Sequence, residues 1–238
     1  MTDTMLQPQE SLPEVPSVPA PWSLHGQAWI VLLRLPRGAA AASAFVPSPL
    51  HPSLRTPVSA LMCVDYVEAP CGPYRELLFI PGAMRFPDGR FHPSISRILV
   101  STWESVVNGR ANWGIPKDRA DFHFEAVPGG DRVRVTDAGG ELCSIDFGPS
   151  RGPRLPLATS LLPVRSSTLA QLHDGRAFYY RPLARGSLRL CRLRRWQFDA
   201  PRFPDLSAAR VLACLRIERF DMTFPVARVE QPAGVPVC

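Results

Sequence analysis

Few stretches of this 238-residue chain run far without a proline or a glycine: it holds 27 of the first and 16 of the second. Proline lacks a backbone donor and breaks helices from within, and glycine ends them. Punctuation this dense favours short strands and turns over long helices. The apolar residues between the breaks fit that reading. "AWIVLLRL" (28–35) predicts a buried strand, and "RGAAAASAF" (37–45) a short helix that stops at "VPSPL", where the residue before proline leaves the helical region. Strands are predicted at 58–69, 74–86 and 96–101. "DFHFEAV" (121–127), "RVRVTD" (132–137) and "ELCSIDFG" (141–148) alternate apolar and polar between Gly/Asp turns, as a meander does. A short helix is expected over 101–110, with Ser101 and Thr102 as caps, Glu104 in the first turn and Gly109 as the stop. The second half predicts strands near 163–171, 177–182 and 186–198, a helical segment over 205–216 and a closing strand over 217–229. Strand–helix–strand alternation and a G-x-G-x-x-G are both missing, which sets aside a dinucleotide-binding parallel sheet. The expected class is α+β, predominantly antiparallel β with a few short helices.

Residues 1–20, "MTDTMLQPQESLPEVPSVPA", are polar, proline-rich and aperiodic, and predict a flexible arm ahead of one domain over 21–238. Hydrophobic residues at 45% and charged residues at 20% suit an ordinary folded domain. The net charge of +6 raises nucleic-acid binding, since seven arginines fall between Arg176 and Arg195. They are interleaved with Leu188, Leu190, Leu193 and Trp196, however, as on a strand with one wet face. A solvated face or a subunit interface is therefore expected, with no nucleic acid. The N-terminus has no basic n-region or apolar h-region, and no apolar run reaches the roughly 20 residues that span a bilayer. The six cysteines form no C-x-x-C pair and the five histidines no H-E-x-x-H, so no metal site is expected. Cys238, the last residue, lacks the three residues that a prenylation box requires after its cysteine. Free thiols in a reducing cytoplasm, with no membrane attachment, are the simplest reading.

One residue stands apart from the rest of the chain. Of 27 cationic side chains, 26 are arginine, and Lys117 in "GRANWGIPKDRADF" (109–122) is the single lysine. Arginine serves salt bridges and solubility as well or better. What a guanidinium cannot readily do is lose a proton and attack a carbonyl carbon to form a Schiff base.

The residues around Lys117 resemble the signature of the acetoacetate decarboxylase superfamily, G-R-x-x-x-x-x-P-K, in Gly109, Arg110, Pro116 and Lys117. "VPSPL" (46–50), "CGPYRE" (71–76), "HDG" (173–175) and the closing strand resemble further family segments in the family's order, over about residues 21 to 229. The resemblance implies an antiparallel β-barrel or cone around a hydrophobic pocket, usually in a homo-oligomer. It implies Lys117 as a Schiff-base nucleophile and Glu76 as the acid/base beside it, with a small-molecule keto acid or ketone as substrate. No cofactor is implied, because the iminium itself draws off electrons. Only the neutral amine attacks, so the pocket must favour that form by desolvation or by a nearby cation.

This chain departs from the decarboxylases at three places. Asp118 stands where they carry a second lysine, Ala111 where their G-R-E motif has glutamate, and Gln27 where they hold an arginine facing the substrate carboxylate. Alternation along a strand lets Asp118 face away, paired with Arg119 or Arg110. Arg75, Arg85 or Arg97 could replace the missing arginine. Gln27, Tyr74, Arg110 and Trp113 are the expected substrate-binding residues, with Arg110 better suited to organising its loop. The expected function is a Schiff-base-forming lyase of decarboxylase or aldolase/dehydratase type. The alternative is a non-catalytic small-molecule binder on the same fold.

Overall fold

The structure, a computed structural model, describes residues 12–231. Its backbone is an eight-stranded sheet in the order Arg151–Ala158, Leu183–Leu190, Arg210–Phe224, Trp22–Arg34, Ser59–Glu68, Tyr74–Ile80, Arg97–Val100, Lys117–Arg119. Every neighbouring pair is antiparallel except the last, in which Ile98 lies beside Lys117 in parallel register. Parallel neighbours need a crossover, and the helix Trp103–Trp113 supplies it. One strand–helix–strand unit therefore exists where none is expected from the sequence, and it carries the lysine.

A four-stranded meander, Asp121–Val127, Gly130–Asp137, Gly140–Phe147 and Leu193–Phe198, packs on one face of the large sheet. Period-two alternation sorts the side chains between the two faces. Odd-numbered Trp29, Val31, Leu33, Leu61, Cys63, Leu77 and Phe79 meet Val133, Val135, Ile145 and Phe147 of the meander in the main core. Even-numbered Leu24, Ala28, Val64, Tyr66, Tyr74 and Leu78 turn to the opposite face with Trp113, Ile115 and Phe220. There they line a cavity of about 310 Å³. Leu157 from one edge strand and Lys117 from the other line this same cavity. In a flat sheet seven strand spacings would hold those edges about 34 Å apart. The sheet must curl around the cavity, as a cone does, though its two edges do not pair among the described residues.

Several boundaries differ from the sequence expectations. The first strand starts at Trp22, six residues early, and the predicted helix at 37–45 is one turn, Ala40–Ser43. Segment 163–171 opens with the short helix Val164–Ser167 and turns to strand at Leu169. Segment 186–198 divides at Cys191 and Arg192 between two sheets. The span 205–216 is not helical: Arg210–Phe224 is the longest strand and pairs with the first strand from end to end. Its Ala/Leu-rich start favours helix locally, but pairing along nearly its whole length, interrupted by two register shifts, overrides that preference. Arg151–Ala158 is a strand where none is predicted, since it contains Pro153 and Pro156. Proline is tolerated at a sheet edge, where no neighbour waits for its missing donor, and this is an edge strand.

Residues 16–20, placed in the arm by composition, are bonded to the crossover helix. Asn108 Oδ1 accepts from Val18 N at 2.7 Å and its Nδ2 donates to Pro16 O at 3.1 Å, while Asn112 Nδ2 donates to Val18 O at 2.9 Å. The arm's first 11 residues, and Cys238, lie outside the described residues. Among the described residues no helix is long and apolar enough to cross a membrane, and no cluster of His, Cys, Asp and Glu is placed to hold a metal.

Candidate active site

Two local devices set the position of Lys117. Thr102 caps the crossover helix by accepting from Ser105 N at 3.3 Å, and Gly114 ends it in the left-handed region at φ 62°. The chain then turns through Ile115 and Pro116 into the parallel strand. Arg110 Nε donates to the Lys117 carbonyl at 2.9 Å and its Nη2 to Asp118 Oδ1 at 2.8 Å. Arg97 bonds the other Asp118 oxygen. Asp118 thus points away from the cavity between two guanidiniums, and Lys117, its strand neighbour, points inward.

The Lys117 side chain is 4% exposed. Its Nζ lies 3.1 Å from Glu76 Oε2, donates to Ser105 Oγ at 2.9 Å, and stands 4.9 Å from the centre of the Tyr74 ring. Glu76 reaches the same point from two strands away, through Leu78 opposite Ile98 and Ile98 beside Lys117. Tyr66 O–H donates to Glu76 Oε1 at 3.3 Å. Burial, and secondly the Glu76 charge, pushes the Tyr66 and Tyr74 hydroxyls well above the ordinary tyrosine range. Both stay protonated and able to donate.

The surroundings are apolar. Trp22, Ile30, Met62, Ile98, Ile217 and Phe224 contribute to the wall, and the charged lining residues are Glu76 and Lys117. No arginine lines the cavity. Exposed Leu162 and Ser166 line it as well, so they mark its open rim, while the buried Lys117–Glu76 pair marks its closed end.

Of the residues singled out in the sequence, the structure brings Lys117, Glu76, Tyr74 and Trp113 to this cavity. Trp113 donates Nε1–H to Pro225 O at 2.7 Å and presents its ring to the wall. Arg110 acts on the backbone behind Lys117 and does not line the cavity. Gln27 is on the other face of its strand, where its Nε2 donates to Asp65 at 2.9 Å and its carbonyl accepts from Arg216. Arg75 binds Asp65 and the Phe122 carbonyl, Arg85 the Gly89 carbonyl and Arg97 the Asp118 carboxylate, so none of the three stands in as a cavity cation. Ala111 is exposed on the crossover helix. Ser105, Tyr66 and the contact role of Gly109 are not singled out by the sequence. Ser105 and Gly109 are four apart on one helix, a spacing that puts both on the face that meets Lys117.

The model of the family described as acetoacetate decarboxylase matches residues 9–207 of this sequence, well over half of it. The chain belongs to the acetoacetate decarboxylase family. Solved structures agree on the fold. An acetoacetate decarboxylase is similar at a TM-score of 0.71 and 14% identity, covering 92% of this chain and 93% of that one. The acetoacetate decarboxylase of Legionella pneumophila is similar at 0.66 and 12% identity, covering 99% and 100%. The enduracididine biosynthesis enzyme MppR, complexed with pyruvate, is similar at 0.61 and 17% identity, covering 89% and 91%. No curated protein sequence matches this one. The acetoacetate decarboxylase family is a Schiff-base-type lyase family, and the fold with its cone-like sheet is that family's fold.

Proposed function

We propose that this protein is a lysine-dependent lyase that forms a Schiff base between Lys117 and the carbonyl of a keto acid or ketone. The observation that carries the proposal is the buried Lys117–Glu76 pair at 3.1 Å at the closed end of an apolar cavity. Passing one proton from Nζ to Oε2 turns the ion pair into two neutral groups, the state an apolar surrounding penalises least. The free amine then adds to the substrate carbonyl, and Glu76 gives its proton to the departing hydroxyl, so that water leaves and an iminium remains beside the Glu76 carboxylate. The bond from the adjacent carbon to its leaving group breaks, and its electron pair moves into the enamine. Glu76 then takes a proton, from water in a decarboxylation or from the departing hydroxyl in a retro-aldol break, and delivers it to that carbon. Water hydrolyses the iminium and frees Lys117. Ser105 orients the amine and Tyr66 orients Glu76. Decarboxylation and retro-aldol or dehydration chemistry share these steps and differ in the leaving group.

Borohydride reduces an iminium irreversibly, so intact mass after reduction with a panel of keto acids reads the first step. Glu76→Gln keeps the shape but cannot carry the proton, and turnover is expected to fall by two to four orders of magnitude. Unchanged turnover in that variant would remove Glu76 from the mechanism. The inward cavity free of arginine, with Asp118 and Gln27 turned elsewhere, favours one rival reading, a barrel that binds a small molecule without reacting. Failure of the wild type to trap any keto acid would put that reading first.

We also propose a cytoplasmic homo-oligomer that binds no nucleic acid. The described cysteines are free thiols, which suits a reducing compartment. Leu155, Leu161, Val164 and Leu190 are exposed on or near the Arg151–Ala158 edge, where a second copy would cover them. Arg181 and Arg189 are engaged internally, with Ser167 and Glu218 respectively, which leaves them less available to phosphates.

A further inference from the structure

We infer that the site selects keto acids with an apolar body of medium length and a single carboxylate on the carbon next to the reacting carbonyl, in preference to acetoacetate or to keto diacids. This rests on the Schiff-base reading of Lys117 and adds the chemistry of what enters. The reacting carbonyl must reach the closed end, where Lys117 and Glu76 sit, so the rest of the substrate runs toward the rim. The wall along that path is Ile30, Met62, Leu157, Leu169, Met222 and Phe224, and the lining hydroxyls of Thr159, Ser166 and Ser167 already donate to the carbonyls of Pro182 and Pro163, so the path carries no charge to meet an anion. A carboxylate on the carbon next to the carbonyl lies beside the iminium nitrogen, which neutralises it. A second carboxylate, farther along, would be buried without a partner, at the cost of its full desolvation. The guanidiniums that could have met it are spent elsewhere: Arg216 lies on Trp29 and Gln27, Arg75 on Asp65, and Arg97 on Asp118.

Size points the same way. A volume of about 310 Å³ holds on the order of ten water-sized groups at roughly 30 Å³ each. Acetoacetate, with seven non-hydrogen atoms, fills about two thirds of that and leaves part of the apolar wall wet or empty, whereas 3-oxooctanoate, with eleven, fills it to the rim. Each methylene laid against the wall is expected to lower the half-saturating concentration by about fourfold.

The test measures the concentration dependence of borohydride-trapped adduct on the wild-type protein for acetoacetate, 3-oxooctanoate and 3-oxoglutarate. Half-saturation for 3-oxooctanoate at least tenfold below that for acetoacetate, with little or no adduct from 3-oxoglutarate, is the expected result. Leu162→Glu at the rim should then raise half-saturation for 3-oxooctanoate about tenfold and for acetoacetate much less. Equal or better trapping of acetoacetate or of 3-oxoglutarate would overturn the inference while leaving the Lys117 chemistry standing. If no acid is trapped, the Schiff-base reading has failed, and the apolar preference is read separately from quenching of tryptophan fluorescence by 2-heptanone. Trp22 and Trp113 both line the cavity. Quenching that saturates would sustain the preference for an apolar body, and none would overturn it too.

Discussion

A Cβ built on Gly109 would stand 2.6 Å from Lys117 Cδ and 2.8 Å from its Cε. Those contacts are too close for real atoms, so any side chain at 109 must push the lysine aside. The glycine of the G-R-x-x-x-x-x-P-K pattern therefore has a packing reason: it is the floor on which the amine's stem lies. Gly109→Ala is expected to leave the protein folded while cutting trapped adduct at least tenfold, because the displaced Nζ loses Ser105 and Glu76 together. Circular dichroism beside intact mass checks both halves; full trapping in the variant would mean that the stem has room to spare. At this scale the sequence is informative where chemistry is rare. A lone lysine among 26 arginines can be seen without coordinates. Ser105 and Tyr66 cannot, because serine and tyrosine are common and only the three-dimensional meeting of helix and strands brings them to the amine and the carboxylate.

The helix Trp103–Trp113 is short, and its sequence is ordinary, yet it positions the site through its ends and its faces. One face carries Ser105 and Gly109 toward Lys117; Asn108, itself 3% exposed, faces the segment before the first strand. Asn108→Ala strips partners from Val18 N and Pro16 O in a partly buried seam, with an expected loss of about 1 kcal/mol. Urea denaturation reads it; a change under half a kcal/mol would mean that water replaces the amide at no cost. The arm expected over 1–20 was drawn from proline content, which reports local conformation and not docking, and residues 16–20 are held by partners some 90 positions away. The same limit explains the strand at Arg210–Phe224. Its helical look is local, while its pairing with Trp22–Arg34 is the longest-range feature of the fold. The strands Asp121–Val127, Gly130–Asp137 and Gly140–Phe147, by contrast, are readable because their turns and alternation are local, whereas Leu193–Phe198 joins them from a distant part of the chain.

Over the whole molecule, one sheet serves two purposes: one face builds a packed core and the other a cavity. The outer meander stabilises the first without touching the second, and its Asp146 offers a handle on that division. Arg132 donates from Nε at 2.7 Å and Nη2 at 3.1 Å, and holds the Asp146 carboxyl below the usual carboxylate range against the upward push of burial. A carboxyl depressed in the folded state stabilises above its unfolded pKa of about 3.9 and loses that contribution as pH falls through the folded value. Arg132→Leu should therefore be less stable than wild type at pH 7, with the gap closing toward pH 3 in urea titrations. A gap that stays constant would mean that the pair contributes through packing alone.

The claim on which everything else depends is that Lys117 is the nucleophile, and the composition of the chain makes it directly measurable. With one lysine, borohydride reduction in the presence of a reactive keto acid can mark only Lys117 or the α-amino group. Peptide mapping of the reduced protein by mass spectrometry distinguishes them. The expected result is one reduced adduct on the peptide containing Lys117 in the wild type and none in Lys117→Arg, which keeps the charge but supplies no neutral amine. An adduct confined to the α-amino group, or one that persists in full in Lys117→Arg, would contradict it.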